Sequence, residues 1–308
     1  MLSNQFSDDD EEEDPTVNDS NRIGPKVHGT ITVVRVPIYL KAIKCVILSS
    51  DIEVKFSTGG MKVIAEISKY FQASVIFMTD FFETFMFFKK NHVMSYGMNL
   101  NNLVNVLSIM NESSDKIRME LFHQNDHLPL KFVFYDDEDE ETEEETVGEN
   151  IKYESVFTEC YIRVKNSTNP INFVITEEEK CSHMVTSTMH AAFLLNEFDK
   201  DIDEIKITVD KKNTTFETVG HHQLETKIVI ERGQIFTRFE FVKGTSFIYK
   251  LSNLKSVEKG MQFGDSVSMT FSSFGILKIQ IMTINEDSVL PLFFEYTLLP
   301  MCSEDDDC

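Results

Sequence analysis

The sequence lacks any apolar run long enough to cross a membrane. Its longest apolar runs, SVIFM, FMFF and LPLFF, have only the length of β-strands, whereas a membrane-spanning helix needs about 20 apolar residues. The first residues also lack the basic, apolar and small-residue pattern of a secretion signal. Both absences argue against a membrane or secreted protein, and we expect a soluble intracellular protein with no membrane partner.

Cysteine is scarce, with five residues among 308 and no C-x-x-C pair. An odd, scattered set is typical of free thiols in a reducing compartment. Cys181 with His183, and His221 with His222, could contribute metal ligands, but no second cluster has zinc spacing. Strand alternation puts Cys181 and His183 on one face, where they equally form a packing pair. The sequence therefore predicts neither a metal nor a cofactor.

The common catalytic motifs are missing as well, because G-x-x-x-x-G-K-[S/T], G-x-S-x-G and H-E-x-x-H do not occur. Acidic residues are abundant, so a two-metal nuclease is a rival interpretation. Asp51, Asp80 and Glu83, however, fall at strand ends and not in a D-x-E pattern inside an apolar strand. We predict no catalytic residue and no enzyme activity, and a 3′–5′ exodeoxyribonuclease stays an alternative.

Positive charge is absent from three windows, residues 8–14, 136–145 and 304–307, which hold seven, nine and four acidic residues. The net charge of the chain is -22, but outside these windows 31 acidic residues face 29 basic ones. Such blocks repel themselves and stay solvated. We expect a disordered acidic arm (1–27), an acidic loop (136–149) and an acidic tail (301–308). The net charge therefore says little about what the folded surface binds.

Elsewhere the dominant hydrophobic period is two, which predicts short β-strands. Four segments break this period and predict helices over residues 37–48, 99–111, 187–198 and 249–262. Their predicted inward stripes are Leu40, Ile43 and Ile47; Leu100, Leu103, Leu107 and Met110; Met189, Ala192, Phe193 and Asn196; and Leu251, Leu254, Val257 and Met261.

The two halves of the chain repeat one order of elements, a strand, a helix, several strands, a second helix and further strands. YGMNLNNLVNVLSIM and YKLSNLKSVEKGM occupy equivalent places in the two halves, which indicates duplication. We predict an α+β fold of two similar domains, residues 28–164 and 180–300, joined by a connector over residues 165–179. Each antiparallel sheet buries one face under two helices, so the polar faces of all four helices form one surface. The strands at 155–164 and 224–232 are predicted open edges, available for pairing with another chain.

Several segments follow one another in a distinctive order: YLKAIKC with STGGMKVIAE, DFFETF entering NLNNLVNVLSI, YKLSNLKSV, and the closing GILKIQIMTINEDSVLPLFFEY. Taken in this order, they resemble the sliding clamps of the PCNA-like superfamily. Within that superfamily the chain most resembles the Rad-one subunit family of the nine-one-one DNA-damage checkpoint clamp. The resemblance covers about residues 28 to 300 and rests on the order of the segments.

The resemblance implies a DNA-clamp fold whose helices face the pore of a heterotrimeric ring with Rad-nine-like and Hus-one-like subunits. A clamp loader would place this nuclear ring on double-stranded DNA without sequence specificity. The ring would then be a non-enzymatic platform for DNA repair and cell-cycle checkpoint proteins. A replicative homotrimeric PCNA-type processivity clamp is the alternative. Two features depart from the family: the acidic loop is longer than its plan needs, and helix 99–111 offers Asn instead of Lys on its polar face.

Two sets of site residues follow from the clamp interpretation. A DNA-encircling wall needs cations near phosphates spaced at about 1.7 Å per charge. A single lysine on the polar face of a helix could equally well be there only because it is solvated. A set of lysines that all point to one surface favours contact with DNA phosphates. The DNA-facing candidates are Lys41, Lys44, His190, Lys250, Lys255 and Lys259. In clamps the connector borders the pocket for partner peptides, and its candidates are Ile171, Phe173, Val174 and Ile175, which could equally anchor the connector to the sheet.

Overall fold

The computed structural model describes residues 27–87, 93–113, 116–122, 130–134, 159–165, 167, 169–220, 225–282 and 292–301. The predicted acidic arm lies outside these residues except for Val27, which begins the first strand. The acidic loop 136–149, the acidic tail beyond Met301, the His221–His222 pair and the side chain of Met110 also lie outside them.

The first half of the chain contains nine strands and two α-helices among its described residues. They are β1 (Val27–Val34), α1 (Val36–Cys45), β2 (Asp51–Ser57), β3 (Gly60–Ile67), β4 (Phe71–Met78), β5 (Thr84–Phe87), β6 (Met94–Asn99), α2 (Leu100–Ser113), β7 (Lys116–Phe122), β8 (Leu130–Phe134) and β9 (Glu159–Ile162). A 3₁₀ turn over Thr79–Phe81 joins β4 to β5.

The second half repeats this order. Its elements are β10 (Lys180–Ser187), α3 (Thr188–Asn196), β11 (Glu204–Val209), β12 (Asn213–Thr218), β13 (Lys227–Glu231), β14 (Phe236–Phe241), β15 (Thr245–Lys250), α4 (Leu251–Ser256), α5 (Glu258–Met261), β16 (Ser266–Ser272), β17 (Leu277–Met282) and β18 (Leu292–Leu298). The predicted helix 249–262 is thus two short helices that meet at Val257, and its first two residues belong to β15.

The sheet topology is the same in both halves. The first half orders its strands β5-β1-β7-β8-β9 and β4-β3-β2-β6, and the second orders the equivalent strands β14-β10-β16-β17-β18 and β13-β12-β11-β15. One antiparallel pairing, between β18 and β4, joins the halves into a nine-stranded sheet. Among the strands that the structure describes, β9 and β13 lie at the outer ends of their sheets, as predicted for the open edges.

The helices on either side of the β18–β4 pairing pack on one face of the nine-stranded sheet. Tyr39 of α1 lies on Phe77 of β4, with ring centroids 4.8 Å apart. Phe263, just after α5, lies on Phe294 of β18 with centroids 5.4 Å apart. Phe77 and Phe294 share a face because Phe294 is opposite Val75, two residues before Phe77. The predicted placement of helices on one side of the sheet is confirmed at this junction.

Two predicted helix stripes need correction. In α1 Ile47 falls beyond the helix and is 41% exposed, because the helix ends at Cys45. In α3 the buried side chains are Ala191, Leu194 and Leu195. Of the predicted inward residues, Met189, Phe193 and Asn196 instead face outward, and Ala192 is half-buried. The apolar pattern misled here because α3 is hydrophobic on both faces, and periodicity alone does not say which face is covered. Leu100, Leu103 and Leu107 in α2, and Leu251, Leu254, Val257 and Met261 in the second half, are buried as predicted.

Two buried tyrosines offer a test of side-chain hydrogen bonding in this core. The Tyr249 hydroxyl donates to the Gly275 carbonyl at 2.8 Å, whereas the Tyr296 hydroxyl has no partner in the described part of the chain. We expect Tyr249→Phe to lower the free energy of unfolding by about 1 to 3 kcal/mol, since it leaves a buried carbonyl without its donor. Tyr296→Phe should leave it nearly unchanged. Urea unfolding of both variants checks the contrast, and equal losses would contradict it.

Candidate nucleic-acid interface

The helices form one continuous row. Helix α1 contacts α2 on one side and α5 on the other, and α5 contacts both α4 and α3. The two middle members, α1 and α5, come from different halves of the chain and meet where β18 pairs with β4. Their contact is antiparallel, because Cys45 Sγ donates to the Lys259 carbonyl at 3.0 Å while Lys41 lies over the Phe263 ring at 5.3 Å. The solvent-facing side of this row is the candidate interface.

Three of the predicted cations come together at the middle of the row. Lys41 and Lys44 are exposed on α1, and Lys259 is exposed on α5. The Cys45 thiol lies between the two helices, where burial raises its pKa against the opposing effect of the Lys41 and Lys259 charges. The backbone carbonyls of Lys41 and Lys259 lie 3.3 Å and 3.0 Å from Cys45 Sγ, so both residues adjoin the thiol. Their amino groups supply positive charge at the joint between the halves.

The other three predicted cations do not join this group. The Lys255 amino group is half-buried and donates to the Phe198 carbonyl at 2.7 Å, which ties α4 to the end of α3. Lys250 lies at the end of β15 opposite Glu204, and its inward neighbour Tyr249 is fully buried. By strand alternation Lys250 therefore points to the outer face of its sheet. His190 is exposed on α3, near one end of the row.

The exposed side of α2 carries amides and not lysines. Asn101, Asn102 and Asn105 are exposed, and so is Ile109 at 55%. The sequence of α2 contains no basic residue. The positive charge of the row is thus concentrated on α1 and α5, next to a neutral polar stretch on α2.

The connector lies on the opposite face of the nine-stranded sheet, where the Glu53 carboxylate holds its first residues. Glu53 is 1% exposed and accepts hydrogen bonds from Ser167 Oγ at 2.6 Å, the Asn169 backbone N–H at 3.1 Å and Ser95 Oγ at 2.5 Å. Burial alone raises its pKa, but the Ser167 and Ser95 hydroxyls and the Lys55 charge together hold the pKa below its usual value. Glu53 is therefore an ionised anchor.

A second carboxylate, Glu66, holds the next part of the connector. It accepts the Ile171 N–H at 3.1 Å, while Gln72 donates to both Glu66 and the Ile171 carbonyl. Burial opposes ionisation of Glu66, but Lys69, Ile171 and Gln72 together lower its pKa. Successive side chains of β4 point to opposite faces of the sheet. Gln72, paired with Thr297, points to the face that holds the connector, whereas Ala73, paired with Tyr296, points to the face under α1 and α5. The connector and the helix row therefore lie on different faces of the sheet.

The four predicted connector side chains are accessible to different degrees. Val174 is 59% exposed and Ile171 is 40% exposed, whereas Phe173 and Ile175 are half-buried. Lys278 donates to the Phe173 carbonyl at 3.1 Å and so fixes this part of the backbone to β17. Both interpretations of the connector fit these contacts, since its backbone is anchored while Val174 stays open.

Sequence reasoning missed two further apolar side chains beside the connector. Phe274 is 67% exposed at the tip of the β16–β17 hairpin, and Met301 is 41% exposed just after β18. The neighbouring Ser273 N–H donates to the Glu179 carbonyl, and Gly275 lies against Pro300. The end of the connector, this hairpin tip and the end of β18 therefore meet. The sequence signal that could have predicted an exposed Phe274 is its place in the tight turn Ser-Ser-Phe-Gly.

The three carboxylates considered as metal ligands of a nuclease do not form one cluster. The Asp51 carboxylate pairs with Lys165 at 2.7 Å and the Glu83 carboxylate with Lys116 at 3.1 Å, while Asp80 is exposed beside Thr79. Among the described residues, no three His, Cys, Asp or Glu side chains cluster in a way that could hold a metal ion. His183 of the Cys181–His183 pair instead contacts Thr270 Oγ1 at 3.0 Å. No described helix has the length and apolarity needed to cross a membrane.

Comparisons with known proteins agree with this architecture. The structure is similar to proliferating cellular nuclear antigen from Entamoeba histolytica, with a TM-score of 0.63 at 13% identity, covering 90% of this chain and 100% of that one. The chain is 22% identical over 277 residues to the DNA repair protein Rad1 of Drosophila melanogaster, covering 89% of this chain and 94% of the relative. It is 25% identical over 250 residues to the cell cycle checkpoint protein RAD1 of Mus musculus, covering 79% and 81%. The family described as repair protein Rad1/Rec1/Rad17 matches residues 34–283. The predicted clamp fold is confirmed, and the chain belongs to the Rad1/Rec1/Rad17 repair-protein family.

Proposed function

We propose that this chain is a non-enzymatic subunit of a ring-shaped DNA clamp that acts in the DNA-damage checkpoint and in DNA repair in the nucleus. Its ring partners are two other clamp subunits, Rad-nine-like and Hus-one-like, and a clamp loader closes the ring around double-stranded DNA. The family membership and the PCNA-like fold support this role. The single observation that carries it is the continuous helix row with Lys41, Lys44 and Lys259 at its centre.

Ring formation follows from the internal duplication. Within the chain, the last strand of one half, β18, pairs with the fourth strand of the other half, β4. Their equivalents β9 and β13 lie at the outer ends of their sheets. The β18–β4 pairing is therefore a template for a pairing between β9 of one subunit and β13 of the next. Such a contact uses different surfaces on the two molecules, and contacts of that kind generate rings when the rotation closes.

DNA binding by the ring is electrostatic and independent of sequence. The lysines of the row can neutralise phosphates, and phosphate contacts carry no base information. In the sequence, the acidic run 136–145 falls between β8 and β9 and not within any helix of the row. Lys250 and Lys255 contribute little to the proposed contact, because Lys250 points to the outer sheet face and the Lys255 amino group binds the Phe198 carbonyl.

Repair and checkpoint proteins bind the outer face through short peptides. The exposed side chains of Val174, Phe274 and Met301 offer apolar anchor positions on this face, and Glu53, Glu66 and Lys278 hold the connector backbone in place. Apolar side chains on a backbone that is already ordered favour binding because less conformational entropy is lost. Separate faces let the ring hold DNA and bind a partner protein at the same time.

Topological retention on DNA tests the proposal. We expect the chain to be monomeric alone, to form a 1:1:1 complex with the two other subunits, and to be retained on nicked circular DNA after loading. Cutting the circle should release the complex within minutes, because a closed ring slides off a free end. Gel filtration of loaded complexes before and after cutting gives the result. A homotrimer of the pure chain would favour the processivity-clamp alternative, and equal retention on circular and linear DNA would contradict encirclement.

A further inference from the structure

An internal apolar cavity lies in the second half of the chain, between the helices and the strands that they cover. Its volume is about 30 Å³, whereas a single water molecule needs roughly 10 to 15 Å³. Helices α3, α4 and α5 form one side of this second-half cavity, and strands of both sheets form the other. Its walls include Ala191, Leu194, Leu254, Ile207, Phe216 and Ile279.

The walls of the cavity offer no hydrogen bond to a water molecule. Thr186 is the one polar residue of the described lining, and its hydroxyl already donates to the Ile235 carbonyl at 2.8 Å. A buried water molecule needs about two to four polar partners. Cavities with apolar walls stay dry and can take small apolar guests such as xenon. The second-half cavity therefore has room for a water molecule but does not suit one.

The internal duplication explains why space is left beneath α3. The buried positions of α1 and α3, with the residues that follow each helix, match at one constant offset along the sequence. Tyr39 of the first half then has Ala191 as its counterpart, and Ala191 lines the cavity. An aromatic ring in one half is thus replaced by a methyl group in the other. The matching buried residues are Tyr39, Ala42, Ile43 and Val46 in the first half and Ala191, Leu194, Leu195 and Phe198 in the second.

The corresponding place in the first half is filled by the Tyr39 side chain. Tyr39 is fully buried, its ring centroid lies 4.8 Å from that of Phe77, and its hydroxyl donates to Met61 Sδ at 3.1 Å. Met61 is opposite Phe77 in the sheet, and the pair at the same register of the second half is Thr214 with Ile230. All three side chains of this first-half contact therefore have smaller counterparts in the second half.

We infer that the second-half cavity is a binding site for a small apolar molecule. A void deprives the atoms of its walls of contact partners, and an apolar guest restores those contacts. A polar or charged guest would lose its hydration without gaining a hydrogen bond, which opposes its entry. A guest that binds the folded chain alone stabilises it by mass action. This inference does not depend on the clamp function, because it concerns the interior of a single subunit.

Xenon binding to the purified full-length chain tests the inference. We expect xenon under pressure to shift the ¹³C-methyl resonances of Leu194, Leu195 and Ile279 along a saturating curve, because these residues line the cavity. The methyl resonances of Ile43, which is buried in the first half, should not follow that curve. Helium at equal pressure is the control for the effect of pressure alone. The absence of a saturable shift at the cavity methyl groups would overturn the inference.

Two substitutions in the walls test where the xenon binds. Ala191→Met should abolish the xenon-dependent shifts and raise the melting temperature, since a flexible Met side chain fills irregular gaps. Ala192→Met is the matched control, because Ala192 is the next residue of α3 but is only half-buried, and it should keep the shifts. Ile279→Val removes one methyl group from the wall and should lower the xenon pressure at half-saturation. Full shifts in a folded Ala191→Met chain, or an unchanged half-saturation pressure in Ile279→Val, would place the xenon elsewhere and overturn the inference.

Discussion

Reversing the charges of Lys41 and Lys259 should weaken the binding of the assembled ring to duplex DNA by about tenfold at roughly 0.1 M salt. The two side chains lie on adjacent helices from different halves of the chain, and both are exposed. Their replacement by Glu therefore places two negative charges where the row has its highest density of lysines. The measurement is equilibrium binding of the complex to a fluorescent duplex.

Salt dependence separates a phosphate contact from a general charge effect. Each phosphate contact contributes about 0.9 to the slope of log affinity against log salt concentration. Loss of two contacts should make that slope shallower by about 2, whereas a distant change of net charge alters it little because salt screens it within about 10 Å. A titration from low to moderate salt therefore tests the position of the lysines as well as their charge.

The matched control reverses two other exposed lysines, Lys211 and Lys212, in the turn between β11 and β12. The start of β11 adjoins α4, since the Leu251 N–H donates to the Asp203 carbonyl, and this turn lies at the far end of the strand. Lys211→Glu with Lys212→Glu changes the net charge by the same amount and should leave the slope unchanged. Equal effects of both double variants would refute a DNA contact at α1 and α5.

The duplicated architecture was predictable because hydrophobic period and order of elements survive in both halves. The buried leucines of α2 show why: Leu100, Leu103 and Leu107 keep strict helical spacing with amides between them. Helix α3 defeated the same method, since Met189 and Phe193 are as apolar as the buried Leu194 and Leu195. Only the three-dimensional packing decides which side of such a helix is covered.

The exposure of three candidate lysines was predictable for a related reason. Lys41, Lys44 and Lys259 stand on helices whose polar faces the sequence located correctly. Lys250 was assigned to a helix, but residues up to Lys250 extend β15, and strand alternation turns its side chain to the other face. The anchors of the connector could not be predicted, because Glu53 lies 114 residues from Ser167 in the sequence and nothing local links them.

Removing the Glu53 carboxylate should have the largest effect on stability among these changes. Glu53→Ala takes away the acceptor of the Ser95 and Ser167 hydroxyls and of the Asn169 N–H. Hydrogen bonds to a charged group contribute about 1.5 to 3 kcal/mol each, and their loss is partly offset by water. We expect the free energy of unfolding to fall by about 3 kcal/mol and the connector to become accessible to protease. Urea unfolding and limited proteolysis measure the two effects.

Glu83→Ala is the control for the loss of a carboxylate that pairs with a lysine. The Glu83 side chain is 47% exposed and pairs with Lys116 on the surface, and exposed ion pairs contribute about 0 to 1 kcal/mol. This variant should unfold almost like the unaltered chain and keep the connector protected. If both variants lost the same stability, the network around Glu53 would have no special role.

Acidification should loosen the connector in the same way, because the pKa values of Glu53 and Glu66 are both lowered in the folded chain. A carboxyl group with a lowered folded pKa stabilises the fold fully above its unfolded pKa of about 4.3. That contribution disappears as the pH falls through the folded pKa. Stability and protection of the connector should therefore decline below about pH 4.3. Glu53→Ala should show a shallower decline, since only Glu66 still titrates in the connector contact, and a decline as steep as that of the unaltered chain would show that other carboxylates control it.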